Sequence, residues 1–185
     1  GYNNTVIKID ETTSDDKGGR GQNKSGATYT TSDGTGYVLY SKEIGSTNTK
    51  MGFHGMIGLL VLARVREVQS GAVVVEENAV RNGVHMGLNI GGIKAPNKGG
   101  CGISLRYYDT NLAFLTSHFA SDSGGKLRFD LRNEHSALLL NGAVLESSDQ
   151  GIDVSLAHHH TFVFGDFNYR TADFDNPEEV LDVVH

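Results

Sequence analysis

A carboxylate, an amide and a guanidinium stand two positions apart at Asp166, Asn168 and Arg170, directly after Thr161-Phe162-Val163-Phe164-Gly165. In an extended chain, side chains two apart point to the same side. The end of this strand would then carry one wholly polar face, with groups of the kind that move protons and bind anions. The four β-branched or aromatic residues before Gly165 run without alternation, as in a strand buried on both faces. Gly-Asp-x-Asn is also ordinary turn chemistry, since Gly supplies unusual dihedrals and Asp and Asn bond their own backbone.

Other residues with chemical potential lie further up the chain. His118 ends a strongly apolar run, Leu112 to Ser117, where a histidine serves either as a structural group or as a catalytic one. His158-His159-His160 could place two imidazoles on one strand face for a metal, but no further ligand follows at a recognisable spacing, which favours simple loop histidines. Asn97-Lys98-Gly99-Gly100 closes a glycine-rich stretch that begins at Gly83. That stretch holds Met86, Leu88, Ile90 and Ile93 beside Lys94 and Lys98. Apolar tips with basic neighbours can dip into a lipid surface, or they can cover the edge of a core.

The elements that must position these groups are mostly strands. Val6 to Ile9, Tyr37 to Tyr40, Met56 to Val65 and Val73 to Val75 read as strands, the third long and apolar enough for a central position in a sheet. Gly102 to Tyr107 alternates, and Tyr108-Asp109-Thr110-Asn111 has the composition of a reversal, so this strand and Leu112 to Ser117 form an antiparallel hairpin. Leu127, Leu131, Leu138 and Leu139 fall near helical spacing before Asn141-Gly142, which predicts a helix packed on the sheet. Asn176-Pro177-Glu178-Glu179 suits the start of another. Residues 10–36 are almost devoid of apolar side chains and read as a mobile loop or insertion. Gly18-Gly19-Arg20-Gly21 within it lacks the strand–helix context of a phosphate loop.

The totals bound the class. At 185 residues the chain suits one domain, and Cys101, the sole cysteine, excludes an internal disulfide and favours a reducing compartment. No apolar run is long enough to span a bilayer, and no charged-then-apolar leader opens the sequence, so a soluble protein is expected. A net charge of −6 gives no broad attraction to nucleic acid or anionic lipid, so an anion site must be local.

The decapeptide from Thr161 to Arg170 resembles the Phe-Trp-Phe-Gly-Asp-Leu-Asn-Tyr-Arg signature of inositol polyphosphate 5-phosphatases. Asn97-Lys98-Gly99-Gly100 resembles their Gly-Asn-Lys-Gly-Gly block, and Ser117-His118-Phe119-Ala120 their Ser-His-Leu-Ala. Arg132-Asn133 stands where their Arg-Asn pair follows, and the order and approximate spacing match from Gly52 to Asn176. Several weak blocks in the right order multiply into a specific signal.

The resemblance implies an α/β (α+β) fold, the four-layer α/β/β/α sandwich of deoxyribonuclease-I-like phosphohydrolases. Residues 1–185 would form the central part of a catalytic domain of about 300 residues, a large single domain. It implies magnesium-dependent hydrolysis of the 5-phosphate of inositol polyphosphates or phosphoinositides. Asp166 would take the proton of the attacking water, Asn168 would hold the water or a phosphoryl oxygen, and His118 would donate to the scissile phosphate. The substrate-binding positions carried over are Asn97, Lys98, Arg132, Asn133, Tyr169 and Arg170, the last two also bracing the strand end. Leu88, Ile90 and Ile93 would face lipid. A cytoplasmic monomer, reaching the cytosolic face of membranes and binding no nucleic acid, is the accompanying expectation.

Pro96 replaces the family's glycine before Asn97, and the loop before it is lengthened. The family's early Thr-Trp-Asn and Gln-Glu blocks, the second with the magnesium-binding Glu, and its late Trp-Cys-Asp-Arg and Ser-Asp-His blocks are not found here. The metal ligand is therefore unassigned, and this stretch alone is expected to be inactive. A nuclease of the same superfamily and a non-catalytic module that binds phosphoinositide or a partner are the alternative readings.

Overall fold

A computed structural model of the protein describes residues 7–8, 26–46, 55–75, 84–87, 89–90, 93–94, 97–142 and 152–169. One antiparallel sheet is built in sequence order from β1 (Ile7–Lys8), β2 (Thr28–Thr31), β3 (Gly36–Ser46) and β4 (Gly55–Arg64). The loop expected over residues 10–36 is corrected at its end. Thr28-Tyr29-Thr30-Thr31 is β-branched and aromatic enough to pair with β3. Asp33 then closes the turn by accepting from the Thr35 amide at 3.0 Å. Residues 10–25 lie outside the described residues.

A short helix, α1 (Val65–Gln69), leads to the second sheet, ordered β11 (His160–Asp166), β10 (Thr110–His118), β9 (Gly99–Tyr107), β5 (Val73–Val74), with β6 (Val84–His85) also on β9. The predicted hairpin is β9 and β10, joined tightly with Thr110 opposite Tyr107 and Tyr108 at φ 50°. β11 joins β10 in parallel. Separately, β7 (Asn89–Ile90) and β8 (Ile93–Lys94) form a two-stranded hairpin in the glycine-rich stretch. Leu88 lies outside the described residues, as do the side chains of Ile90 and Ile93. Met86 is buried in the core, so at this position the stretch covers hydrophobic interior.

The two sheets meet through Ile44, Ile57 and Leu59 on one side and Cys101 and Ile103 on the other. The opposite face of the second sheet carries Ala113, Leu115 and Phe119, which pack against Met86, Leu139 of α2 (Phe129–Gly142) and Val154 of α3 (Val154–Ala157). α3 starts where it does because Asp153 caps it, accepting from the amides of Ser155 and Leu156 at 2.8 and 3.2 Å. Sheet, sheet and helix are thus three layers of an α+β sandwich among the described residues.

Two apolar strands are less covered than their sequences imply. β4 buries Ile57, Leu59 and Ala63 but exposes Met56, Leu60 and Leu62, and among the described residues it has a strand on one side only, not the central position its sequence predicts. β11 exposes Phe162 and Phe164 by 49% and 43%. It has a strand on one side only among the described residues, although Phe162 stacks on Phe114 with centroids 5.2 Å apart. Hydrophobicity on both faces records that a strand suits burial on both, while coverage depends on elements beyond the strand itself.

The helix also differs in its buried stripe. Arg132, His135 and Leu139 face inward, Leu138 is exposed, and Leu127 lies before the first turn and is exposed. Polar residues take the inner positions because their partners, Ala120 and Asp122, lie just past the end of β10.

Candidate active site

Three strand ends finish flush. In the second sheet His118, the last residue of β10, stands opposite Gly99, the first of β9, and opposite Asp166, the last of β11. Lys98 immediately precedes Gly99, so an imidazole, a carboxylate and an ammonium arrive at one sheet edge from three separate strands. Lys98 Nζ lies 2.6 Å from His118 Nε2, and Asp166 Oδ2 lies 3.3 Å from the same nitrogen. The His118 and Asp166 side chains are 37% and 62% exposed, so the pair is open to solvent.

Burial, and next the Lys98 charge, hold the His118 imidazole below its ordinary 6.5; Asp166 and a backbone hydrogen bond with Asn97 oppose this in part. The ring is therefore neutral at neutral pH. Gly165 makes the close approach of β11 possible. It has φ 125°, and a Cβ there would run into the Ser117 carbonyl oxygen on β10.

Beyond Asp166 the chain stops being extended. Asp166 Oδ1 accepts from the Asn168 amide at 3.0 Å, and Asn168 sits at φ 54°. The expectation of three side chains on one polar face is thereby corrected, because this turn rotates Asn168 inward. Asn168 is buried, and its Nδ2 donates to the Phe119 carbonyl at 3.0 Å. A second bond, Phe119 N to the Asp166 carbonyl at 2.9 Å, completes the seam between the exits of β10 and β11. Arg170 lies outside the described residues.

Arg132 corrects a second expectation. It is 0% exposed and cannot reach a substrate directly. Its Nη1 donates to Asp122 at 2.6 Å and to the Ala120 carbonyl at 3.3 Å, while the guanidinium lies against the rings of Phe129 and Tyr169. Nε and Nη2 have no hydrogen-bond partner among the described residues. Asn133 is exposed and accepts from the Tyr169 hydroxyl at 2.6 Å, so these two also tie α2 to the exit of β11.

Sequence reasoning missed Asp122 and His135, which brace the exit of β10; the His135 ring accepts from the Ala120 amide at 3.2 Å. The available signal was spacing, since His135 lies three residues after Arg132 on one helix face. Asn97 is exposed beside His118, at the rim. The histidine run binds locally: His159 Nδ1 accepts from the Asn111 amide at 2.9 Å, and His158 Nδ1 contacts the Val154 carbonyl at 3.0 Å.

Among the described residues no three His, Cys, Asp or Glu side chains converge as metal ligands. The carboxylate beside His118 is that of Asp166, with an ammonium next to the ring, and this set does not by itself hold a divalent ion.

The model for Endonuclease/Exonuclease/phosphatase family 2 matches residues 41–185, which includes every strand of this edge. The chain belongs to that family. Within it, 80 residues are 35% identical to the human phosphatidylinositol polyphosphate 5-phosphatase type IV, covering 40% of this chain and 12% of that protein. An alignment over 75 residues is 36% identical to the human phosphatidylinositol 3,4,5-trisphosphate 5-phosphatase 1, covering 40% of this chain and 6% of that protein. Among solved structures, the inositol polyphosphate 5-phosphatase domain of SPsynaptojanin, crystallised with inositol (1,4)-bisphosphate and calcium, superposes with a TM-score of 0.50. That match is 25% identical and covers 83% of this chain and 37% of the other. The chain thus spans a minor part of the length of the relatives it matches, and its α+β sandwich is part of a larger domain of this fold.

Proposed function

We propose that the intact protein hydrolyses the 5-phosphate of inositol polyphosphates or phosphoinositides. The observation that carries this reading is the register placing His118 opposite Asp166, with Lys98 against the same imidazole, in a chain similar to 5-phosphatases. In-line attack of water on a phosphate monoester needs a base and cations that offset charge on the phosphoryl oxygens. The solvent-open Asp166 carboxylate takes the water's proton. Lys98 and Asn97 at the rim receive substrate phosphate, and His118 supports the oxygens of the reacting phosphoryl group.

Asn168, with one amide N–H donated to the Phe119 carbonyl, holds the Asp166 turn in place; Arg132, Asn133 and Tyr169 act as braces. Magnesium, the ion this reading favours, would supply further neutralisation of phosphate charge. Its ligands would have to come largely from beyond the residues described, and the steps assigned here do not depend on it. The stretch holding Leu88, Ile90 and Ile93 would meet acyl chains at the cytosolic face of a membrane. No helix among the described residues is long and apolar enough to cross one.

The test is phosphate release from soluble inositol polyphosphates and from vesicles containing phosphoinositides, with magnesium, by the intact protein. Release confined to the 5-position supports the reading. Nicking of plasmid DNA without phosphate release would replace it with a nuclease.

A further inference from the structure

Lys98 and Asp166 make incompatible demands on one nitrogen of His118. An ammonium can only donate, so the 2.6 Å contact from Lys98 Nζ requires a bare lone pair on Nε2. A carboxylate can only accept, so the 3.3 Å contact from Asp166 Oδ2 is favourable only when Nε2 carries a proton. The shorter contact prevails here. It leaves a neutral ring whose proton sits on Nδ1, the nitrogen that the ammonium does not contact. A ring in that form has no N–H on Nε2 to offer a phosphoryl oxygen.

We propose that Lys98 is a positioning residue that decides which form of His118 the substrate meets. In the empty site the ammonium caps Nε2; a bound phosphate dianion draws the ammonium away, and Nε2 takes up a proton and donates to the phosphate. The identity of the ligand rests on the phosphatase reading above, whereas the capped state of the empty site does not.

The charges support this exchange. Among the described residues the charged groups facing the ring are Lys98, from the segment entering β9, and Asp166, from β11. Their signs cancel until a dianion arrives, after which the excess of negative charge favours imidazolium. An ammonium on a flexible four-carbon stem gains more from a dianion than from a neutral nitrogen, and it can move without disturbing the sheet. One N–H bond forms at Nε2 as one O–H bond of a solvent hydronium breaks and leaves water, and Lys98 keeps its three protons.

Nitrogen NMR of the His118 ring tests the proposal directly. In the wild-type protein at neutral pH, without ligand, Nε2 should resonate as a bare, pyridine-type nitrogen, and added inorganic phosphate should convert it to an N–H. In Lys98→Met the N–H should be present at Nε2 in a larger share of the protein without phosphate, since Asp166 is then the one charged group left facing that nitrogen among the described residues. An N–H at Nε2 in the empty wild-type protein, or a bare Nε2 that phosphate leaves unchanged, overturns the proposal. The wild-type titration decides alone if the variant does not fold. Lack of turnover on inositol substrates would count against the phosphatase reading and leave the empty-site result standing; turnover with an unresponsive ring removes only the Lys98 role.

Discussion

Lys98 Nζ and His118 Nε2, 20 positions apart in sequence, meet at 2.6 Å because β9 begins where β10 ends. The antiparallel register sets Gly99 opposite His118, and the parallel register sets Asp166 on the other side. The placement of His118 and Asp166 is therefore a property of strand pairing, which holds a site more tightly than a loop does, while Lys98 reaches it on a flexible stem from just before β9.

Because the native ring holds its proton less readily than the unfolded ring, the unfolded state binds more protons just below pH 6.5. The contribution of His118 to stability is complete above that pH and declines as pH falls through the lowered native value. Denaturant titrations at a series of pH values should show this decline in the wild type and a flatter response in His118→Gln.

Asp166→Asn should lower phosphate release by about 10²- to 10⁴-fold, the range associated with loss of a positioned general base. The fold should survive, because the side chain is mostly exposed and its one turn bond to the Asn168 amide is worth about 1 kcal/mol. Turnover assays alongside thermal melting separate the two effects, and undiminished turnover would remove Asp166 from the mechanism.

Arg132→Met should destabilise the protein by roughly 3–5 kcal/mol, as breaking a buried ion pair does. The lower end is expected, since the abandoned Asp122 keeps partial access to water. Activity at temperatures where the variant is folded should fall less than in Asp166→Asn, which would mark Arg132 as a brace. A variant of wild-type stability would contradict the clamp between Asp122, Ala120 and Tyr169.

Gly165→Ala should cost more than about 1 kcal/mol, since it combines a positive φ with a collision against the Ser117 backbone. Gly71→Ala carries the positive φ alone, with open space around it, and should cost less. In Gly165→Ala, displacement of β11 should separate Asp166 from His118 and depress turnover with stability. Equal melting temperatures for the two variants would show that the close approach of β10 and β11 contributes nothing.

Much of this architecture is written in local pattern. The β9–β10 hairpin, the strand from Gly55 to Arg64, the helix over Phe129–Gly142 and the family motifs are legible because alternation, turn residues and helical spacing act over a few neighbours. So are Asp166, His118 and Lys98 as candidates, each flanked by residues that announce a strand end. Tertiary structure decided what those residues touch. The pairing of Lys98 with His118, the inward turn of Asn168 and the burial of Arg132 against Asp122 depend on registers and packing between segments far apart in sequence, where no local period carries information. Coverage of β4 and β11 is non-local for the same reason: a side chain's hydrophobicity is fixed by its chemistry, but its burial is fixed by which other element arrives against it.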